Sequence, residues 1–317
     1  MSTWSYSKGL HDLGNSIYAY LQPDGTWGWS NAGLVTDGEA SLLIDTLFDL
    51  KLTREMLDTM SRAVPAAANI DMLVNTHANG DHCYGNQLVA AAQIIASERT
   101  AREIPVDPPT VLAGLLQQAP QLGQFGTYFQ RIFGRFDFNN ITLTLPTKTF
   151  EGQLNMKVGD KALQLIEVGP AHTAGDTLVY IPDERVVFTG DILFIGGHPI
   201  IWAGPTANWL RACDRILAMD VETIVPGHGP ITDKQGVVEV KGYLEYVYQE
   251  ARKRYEAGMP AMEAARDIPM DRYASWTDGE RIVVNVDSIY RELSGDQSHP
   301  NKPALFAQMA ALALDRG

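Results

Sequence analysis

The sequence has only two cysteines, Cys83 and Cys213, among its 317 residues. A disulfide framework is therefore excluded. Cys83 directly follows a cluster of polar side chains, but it reads as a small buried residue at the start of a helix rather than as a ligand. No stretch approaches the roughly 18 apolar residues of a membrane-spanning helix. The opening Met-Ser-Thr-Trp-Ser-Tyr-Ser-Lys lacks the charged region and apolar core of a secretion signal, so a cytoplasmic protein is expected. Basic residues are also few: 25 Lys and Arg stand against 38 Asp and Glu, a net charge of −13. That balance argues against nucleic acid and against an anionic membrane surface as partners. It says little about a substrate, because bound metal cations can dominate the local field. Short internal repeats, low-complexity linkers and any serine–histidine or cysteine–histidine nucleophile pattern are missing too.

What is present is a hydrophobic content of 45%, enough for a real core, in a chain long enough for one large domain plus an extension. The most informative stretch is Leu73 to Asn86. An apolar run, Met72 to Val74, reads as a short buried strand. His77, Asn79, Asp81 and His82 follow it at once. Imidazole and carboxylate are ligands for zinc and similar divalent metals, and a loop at the end of a buried strand holds side chains rigidly. Three downstream segments repeat the design. Leu163 to Val168 runs into Gly169-Pro170-Ala171-His172-Thr173-Ala174-Gly175-Asp176. Val186 to Phe188 runs into Thr189-Gly190-Asp191. Thr223 to Val225 runs into Pro226-Gly227-His228-Gly229. Each strand end turns sharply at a glycine and presents one potential ligand.

The series His-Ala-Asn-Gly-Asp-His, Gly-Pro-Ala-His-Thr-Ala-Gly-Asp, Phe-Thr-Gly-Asp and Pro-Gly-His-Gly resembles the metallo-β-lactamase superfamily in order and spacing over about residues 10 to 232. The resemblance implies an α/β fold, a four-layer αβ/βα sandwich with metals at one edge between the sheets. It also implies one metal site of His77, residue 79 and His172, and a second of Asp81, His82 and His228, with Asp191 bridging. Zn2+ is the expected ion, one or two per chain, with iron or manganese as alternatives. One position departs from the family pattern: Asn79 stands where histidine is usual. A neutral amide oxygen is a poorer ligand than imidazole. The second site is therefore expected to fill first, and the first to be weak, empty or selective for a harder metal.

Along the chain, residues 1 to 13 read as an irregular lead-in. Ile17 to Leu21 is an expected strand. Pro23-Asp24-Gly25 is a turn, and a return strand carries Trp27 and Trp29 into Asn31 to Val35. Either tryptophan can overhang the metals, as the corresponding hairpin does in similar proteins, or pack in the core. Asp45 is expected to brace the metal loop from beneath. Thr53 to Ala63 has helical spacing, residues 84 to 91 begin the helix after the metal loop, and Gln93 to Ala96 is a strand. Residues 104 to 140 break the pattern with prolines, glycines and dense aromatics. They read as a helical insertion, either a lid on a substrate pocket or a plain cover for the core. Ile141 to Leu145 and Leu154 to Val158 are expected strands, and Thr206 to Met219 a helix. His198 is open to two readings, a substrate-binding or proton-handling group near the mouth or a surface loop residue. The domain boundaries follow: residues 1–232 as the sandwich and 233–317 as a C-terminal helical extension, packed on the second half or used in self-association to a homo-oligomer.

Asp81 and Asp191 are the expected catalytic carboxylates, and Trp27, Trp29 and His198 the expected substrate contacts. The chemistry expected is hydrolysis of an ester, thioester, lactone or amide bond in a small molecule by metal-activated water. An iron-dependent oxygenase or dioxygenase on the same scaffold, or a non-enzymatic member with an altered motif, are the alternatives.

Overall fold

Alternating burial along short strands builds the two central layers. The computed structural model describes residues 4–315. Its first sheet has seven strands: β1 (Gly9–Gly14), β2 (Ile17–Leu21), β3 (Ala32–Asp37), β4 (Ala40–Ile44), β5 (Met72–Val74), β6 (Gln93–Ser97) and β7 (Lys148–Phe150), adjacent in that order. Strands β1 to β4 form an antiparallel meander, and β4 to β7 run parallel. The second sheet has five strands, β8 (Gln153–Val158), β9 (Lys161–Glu167), β10 (Thr177–Ile181), β11 (Val186–Phe188) and β12 (Thr223–Val225), in spatial order β12-β11-β10-β9-β8.

Successive side chains of a strand point to opposite faces. Leu42, Ile44, Val74 and Ile95 of the first sheet meet Val179, Ile181, Val186, Phe188 and Val225 of the second in one dry interface. Their neighbours Leu43, Leu73, Ile94, Leu178, Val187 and Ile224 point outward into a second core. That core also holds Leu52, Met56 and Met60 of α1 (Leu50–Ala63) and Trp209 and Ile216 of α6 (Thr206–Ala218). Strands buried on both faces and covered by helices give the expected four-layer αβ/βα sandwich. Helix α1 starts where Asp49 accepts a hydrogen bond from the Leu52 amide at 2.7 Å, the usual way to satisfy an orphan N–H.

The remaining helices are α2 (Gly80–Cys83), α3 (Glu98–Glu103), α4 (Pro109–Gln118), α5 (Gly123–Phe133), α7 (Lys234–Glu256), α8 (Ala261–Asp267), α9 (Ile282–Ser294) and α10 (Lys302–Asp315). None of the described helices is long and apolar enough to cross a membrane.

Several expectations need correction. Residues 9–14 form edge strand β1 instead of a lead-in, pairing with β2; residues 1–3 of that lead-in lie outside the described residues. Trp27 and Trp29 sit in the irregular loop before β3, not in a return strand. After the metal loop the chain makes the single turn of α2 and then a 3-10 helix, Tyr84–Val89. Residues 141–145 join no sheet, although they alternate in character. Their backbone is tied to side chains instead: Asn86 donates to Thr144 O at 3.1 Å, and the Thr142 amide donates to Gln87 Oε1. Finally, α10 touches the second half through Trp202, 5.8 Å from the Phe306 ring, and also reaches the first. Phe306 packs against Phe129 and Phe133 of α5 at ring distances of 6.2 and 6.3 Å, and against Trp27 at 5.7 Å.

Candidate metal centre

Four strand ends converge at one edge of the sandwich. β5 delivers His77, Asn79, Asp81 and His82; the β9–β10 loop delivers His172; β11 delivers Asp191; β12 delivers His228. All except Asn79 are buried. Among the described residues, two groups of potential ligands form, His77–His172–Asp191 and Asp81–His82–His228, each with donor atoms within 4.8 Å of one another. Asp191 joins them. Its Oδ2 lies 3.6 Å from His77 Nε2, 3.4 Å from His172 Nε2 and 3.4 Å from His228 Nε2, and its Oδ1 lies 3.1 Å from His82 Nε2. Asp81 Oδ2 is 3.2 Å from His228 Nε2 and 3.9 Å from His82 Nε2.

The close approach depends on glycine. A Cβ at residue 227 would collide with Asp191 Oδ1, and one at residue 190, whose φ is +49°, would meet Thr76 Oγ1 at 2.5 Å. The signal visible in the sequence as a glycine beside each ligand is thus steric as well as conformational.

Each histidine is fixed from behind. His82 Nδ1 lies 2.9 Å from Asp45 Oδ2, His172 Nδ1 2.7 Å from Ile200 O, and His228 Nδ1 3.1 Å from Gly25 O. A carbonyl can only accept, so His172 and His228 carry a proton on Nδ1 and turn Nε2 toward the carboxylates. His77 Nδ1 meets Thr76 Oγ1 at 3.0 Å, while that hydroxyl donates to Asp45 Oδ2 at 2.7 Å and so accepts from His77. Asp45 therefore braces two ligands, as expected, and also takes the Thr76 amide at 2.7 Å. This tautomer is the one that metal ligation through Nε2 requires.

The donor set fits divalent metals. Nε2 of His77, His82 and His172 and Oδ1 of Asp191 are buried without a hydrogen-bond partner. Orphaned polar atoms in an interior are costly, and a cation satisfies them together. Ligands about 2.0–2.1 Å from a tetrahedral zinc lie roughly 3.3 Å apart, within the range of the distances above. Electrostatics agree. Burial alone would raise the Asp81 carboxyl, but His82 and His228 outweigh it and bring it to about 2. Burial would lower His228, but Asp191 and Asp81 hold it up at about 9. Burial lowers His77, with His82 adding to the effect, and brings His172 to about 4. Two ionised carboxylates thus share a site that draws in positive charge.

Above the donors lies a cavity of about 470 Å³. Asn79, Asp81, His172, Asp191 and His228 form its floor, with Trp27 and Phe194 beside them. Leu112, Leu115, Phe129 and Phe133 from α4 and α5 line one wall, and Phe306 of α10 another. The 104–140 insertion therefore faces the cavity as well as covering core. Asn79 caps α2 with its carbonyl, which accepts from the His82 amide at 3.0 Å. Trp27 is on the wall, with Nε1 donating to Glu280 Oε1 at 3.1 Å. Trp29 is not; it packs against Phe136 at 4.9 Å. His198 is neither at the mouth nor at the surface: it is buried behind the floor, with Nδ1 3.1 Å from the Tyr243 hydroxyl. Cys83 is buried, with Sγ 3.6 Å from Ala78 O, as expected of a small core residue.

Sequence reasoning missed the roles of Arg281 and Asn285 and the place of α10, an expected helix, on the cavity wall. Arg281 is 2% exposed, and its guanidinium carbon lies 4.3 Å from the Trp27 ring and 5.2 Å from Phe194. Phe194 in turn lies parallel to the His228 ring at 5.1 Å. The available signal was Arg281-Ile282-Val283-Val284-Asn285-Val286, an apolar run too long for one amphipathic stripe, in which any polar residue must be buried.

The model of the metallo-beta-lactamase superfamily matches residues 25–228. The alpha subunit of a 2,4-dinitroanisole O-demethylase from Nocardioides sp. is 32% identical over 168 residues, 52% of this chain and 45% of that protein. A hydroxyacylglutathione hydrolase from Brucella ovis is 39% identical over 54 residues, 17% of this chain and 21% of that protein. The chain thus spans less than half the length of these curated relatives. Among solved structures, a stereoselective inverting sec-alkylsulfatase from Pseudomonas sp. superposes with a TM-score of 0.67 at 16% identity, covering 94% of this chain and 51% of that one. A metallo-beta-lactamase from Pontibacter korlensis superposes with a TM-score of 0.55 at 19% identity, covering 75% of this chain and 99% of that one. At such identities the superpositions speak for the fold alone.

Proposed function

The chain belongs to the metallo-β-lactamase superfamily, and from that premise we propose that it is a metal-dependent hydrolase of an ester, thioester, lactone or amide bond in a small molecule. The observation that carries this reading is the pair of buried donor groups, sharing Asp191, at the floor of a largely apolar cavity. His77, His172 and Asp191 would hold one divalent metal, and Asp81, His82, His228 and Asp191 the other, with zinc as the ion the donors suit best. Bound there, such an ion supplies Lewis acidity and a water of lowered pKa.

The chain's own residues do the rest. The apolar wall excludes bulk water and strengthens every electrostatic contact at the floor. Asp81, held ionised and facing the cavity, accepts the proton of the attacking water and returns it to the leaving group. The histidines keep Nδ1 protonated against Asp45, Thr76, Ile200 and Gly25, so they hold their orientation through the cycle. Asn79 leaves the first site one strong donor short and faces the cavity, where it orients the reacting group. The test is hydrolysis of a panel of esters, thioesters and lactones by protein loaded with zinc and by protein stripped with a chelator. Turnover is expected only in the first.

A second reading is favoured by one observation. The relative from Nocardioides sp. is named for removing a methyl group from an aryl ether oxygen, and the cavity here is walled by aromatic rings. Cleavage of such an ether by water would give a phenol and methanol. An iron-dependent oxygenase would consume oxygen in the same assay, which separates the two.

A further inference from the structure

Resting on that reading of the site, we propose that the substrate is an uncharged, predominantly apolar molecule with an aromatic or branched-alkyl body, and that substrates with an ionised tail are excluded. Few charges stand on the cavity wall. Apart from the metal ligands, the charged wall residues are Glu103, Asp107, Arg281 and Lys302. Each already has a partner within the chain, with Arg281 Nε alone left buried without one. Arg281 pairs with Asp278 at 3.0 Å, donates to His198 O at 2.9 Å, and is wedged between the Trp27 and Phe194 rings. Lys302 pairs with Asp107 and lies 5.4 Å over the Trp202 ring. Glu103 accepts from the Ala174 amide at 3.0 Å, and burial pushes its carboxyl up toward the neutral form.

Among the described residues, therefore, both cations on the wall already carry a counter-charge, Asp278 for Arg281 and Asp107 for Lys302. An ionised group drawn into an apolar space without a partner loses its hydration with nothing in return. The aromatic surfaces of Phe129, Phe133, Phe306 and Trp202 offer what an uncharged ring or alkyl body needs: area, and edge or face contacts. A cavity of about 470 Å³ lies in the range of pockets that enclose a small organic ligand. A conjugate such as a glutathione thioester, a tripeptide with two carboxylates, fits neither the charge nor the surface.

The distinguishing experiment compares two esters with the same leaving group: 4-nitrophenyl hexanoate, and the 4-nitrophenyl monoester of adipic acid, whose acyl tail ends in a carboxylate. With the zinc-loaded protein, kcat/KM for the uncharged ester is expected to exceed that for the charged one by at least thirtyfold. Asp107→Asn, which frees Lys302, is expected to narrow that ratio. Binding of two unreactive ketones with the same neutral and carboxylate tails, followed by calorimetry, gives a readout that needs no hydrolysis. If neither ester turns over but the neutral ketone binds at least tenfold tighter, the hydrolase reading fails and the substrate class stands. Equal or preferential turnover or binding of the carboxylate-tailed compounds overturns the class, and so does failure of the neutral ketone to bind.

Discussion

Asn285 and His172 are linked through a single carbonyl. Asn285 Oδ1 accepts from the Ile201 amide at 2.9 Å and its Nδ2 donates to Pro199 O at 2.9 Å. Ile200 O, held between those two grips, accepts from His172 Nδ1 at 2.7 Å. A helix from the C-terminal third of the chain thereby sets the orientation of a candidate ligand contributed by the second sheet.

Replacing Asn285 by Ala should loosen that carbonyl. Removing partners that support a metal-ligating histidine typically costs about 10–100-fold in metal affinity, and buried polar groups left unpaired cost about 1–3 kcal/mol each in stability. Zinc affinity by chelator competition and a denaturant midpoint, measured on the same variant, separate the two effects. A stability loss with unchanged zinc affinity would show that Asn285 serves the fold only.

Asp191 is the shared donor, so its loss should be felt at both sites. Asp191→Ala is expected to weaken metal binding at both sites and to lower hydrolysis by roughly a thousandfold or more. His228→Ala should remove only the metal held with Asp81 and His82. Metal stoichiometry by plasma mass spectrometry checks both, and retention of two ions in Asp191→Ala would sink the ligand assignment.

With Asn79 in place of a histidine, the two proposed sites should be unequal. The wild-type protein should bind one zinc tightly and a second weakly, and Asn79→His should bring the tight stoichiometry toward two. The added donor is a neutral imidazole, so the gain should grow as pH rises through about 6.5, its unperturbed pKa. Turnover can fall in the same variant, because the new side chain fills space next to the reacting group. Two equally tight zinc ions in the wild type contradict the idea.

The metal-free protein should lose stability on the alkaline side. His228 is raised to about 9, so its contribution is full below about 6.5 and is lost as pH rises through 9. That amounts to about 3 kcal/mol. His172 is lowered to about 4, so its contribution is present above about 6.5 and fades as pH falls toward 4. Asp176, raised to about 8 by burial, also loses its contribution as pH rises, so thermal melts of chelator-treated protein should fall from pH 6.5 to 9. Added zinc takes the place of the His228 proton, and the His228 share of the alkaline loss should disappear. A metal-free profile that keeps rising from pH 6.5 to 9 is inconsistent with this arrangement of charges.

Much of this was legible in the sequence, and for identifiable reasons. β5, β11 and β12 are buried on both faces and read as short apolar runs, each followed within a few residues by His77, Asp191 or His228. Asp45 was legible because it ends a strand beside that loop. What was hidden depends on contacts distant in sequence. β1 is a half-exposed edge with His11 and Asp12 in it, so its pattern resembles a polar lead-in. Residues 141–145 alternate like a strand, yet Asn86 and Gln87 take their backbone groups. The burial of Arg281 and Asn285 follows from the apolar run they interrupt, but the groups they hold, His198 O and Pro199 O, are distant in sequence. Nothing in α10 itself says that Phe306 will lie against Phe129 and Trp27.

The most direct test of the central claim is turnover by protein reconstituted with zinc under strict exclusion of oxygen. Chelator-stripped protein is given zinc, and hydrolysis of an uncharged aryl ester is followed alongside oxygen uptake in a parallel aerobic sample. The account predicts hydrolysis that rises with bound zinc, is the same with and without oxygen, and consumes none. Turnover that needs iron and oxygen, or ester hydrolysis at the same rate in stripped protein, would contradict it.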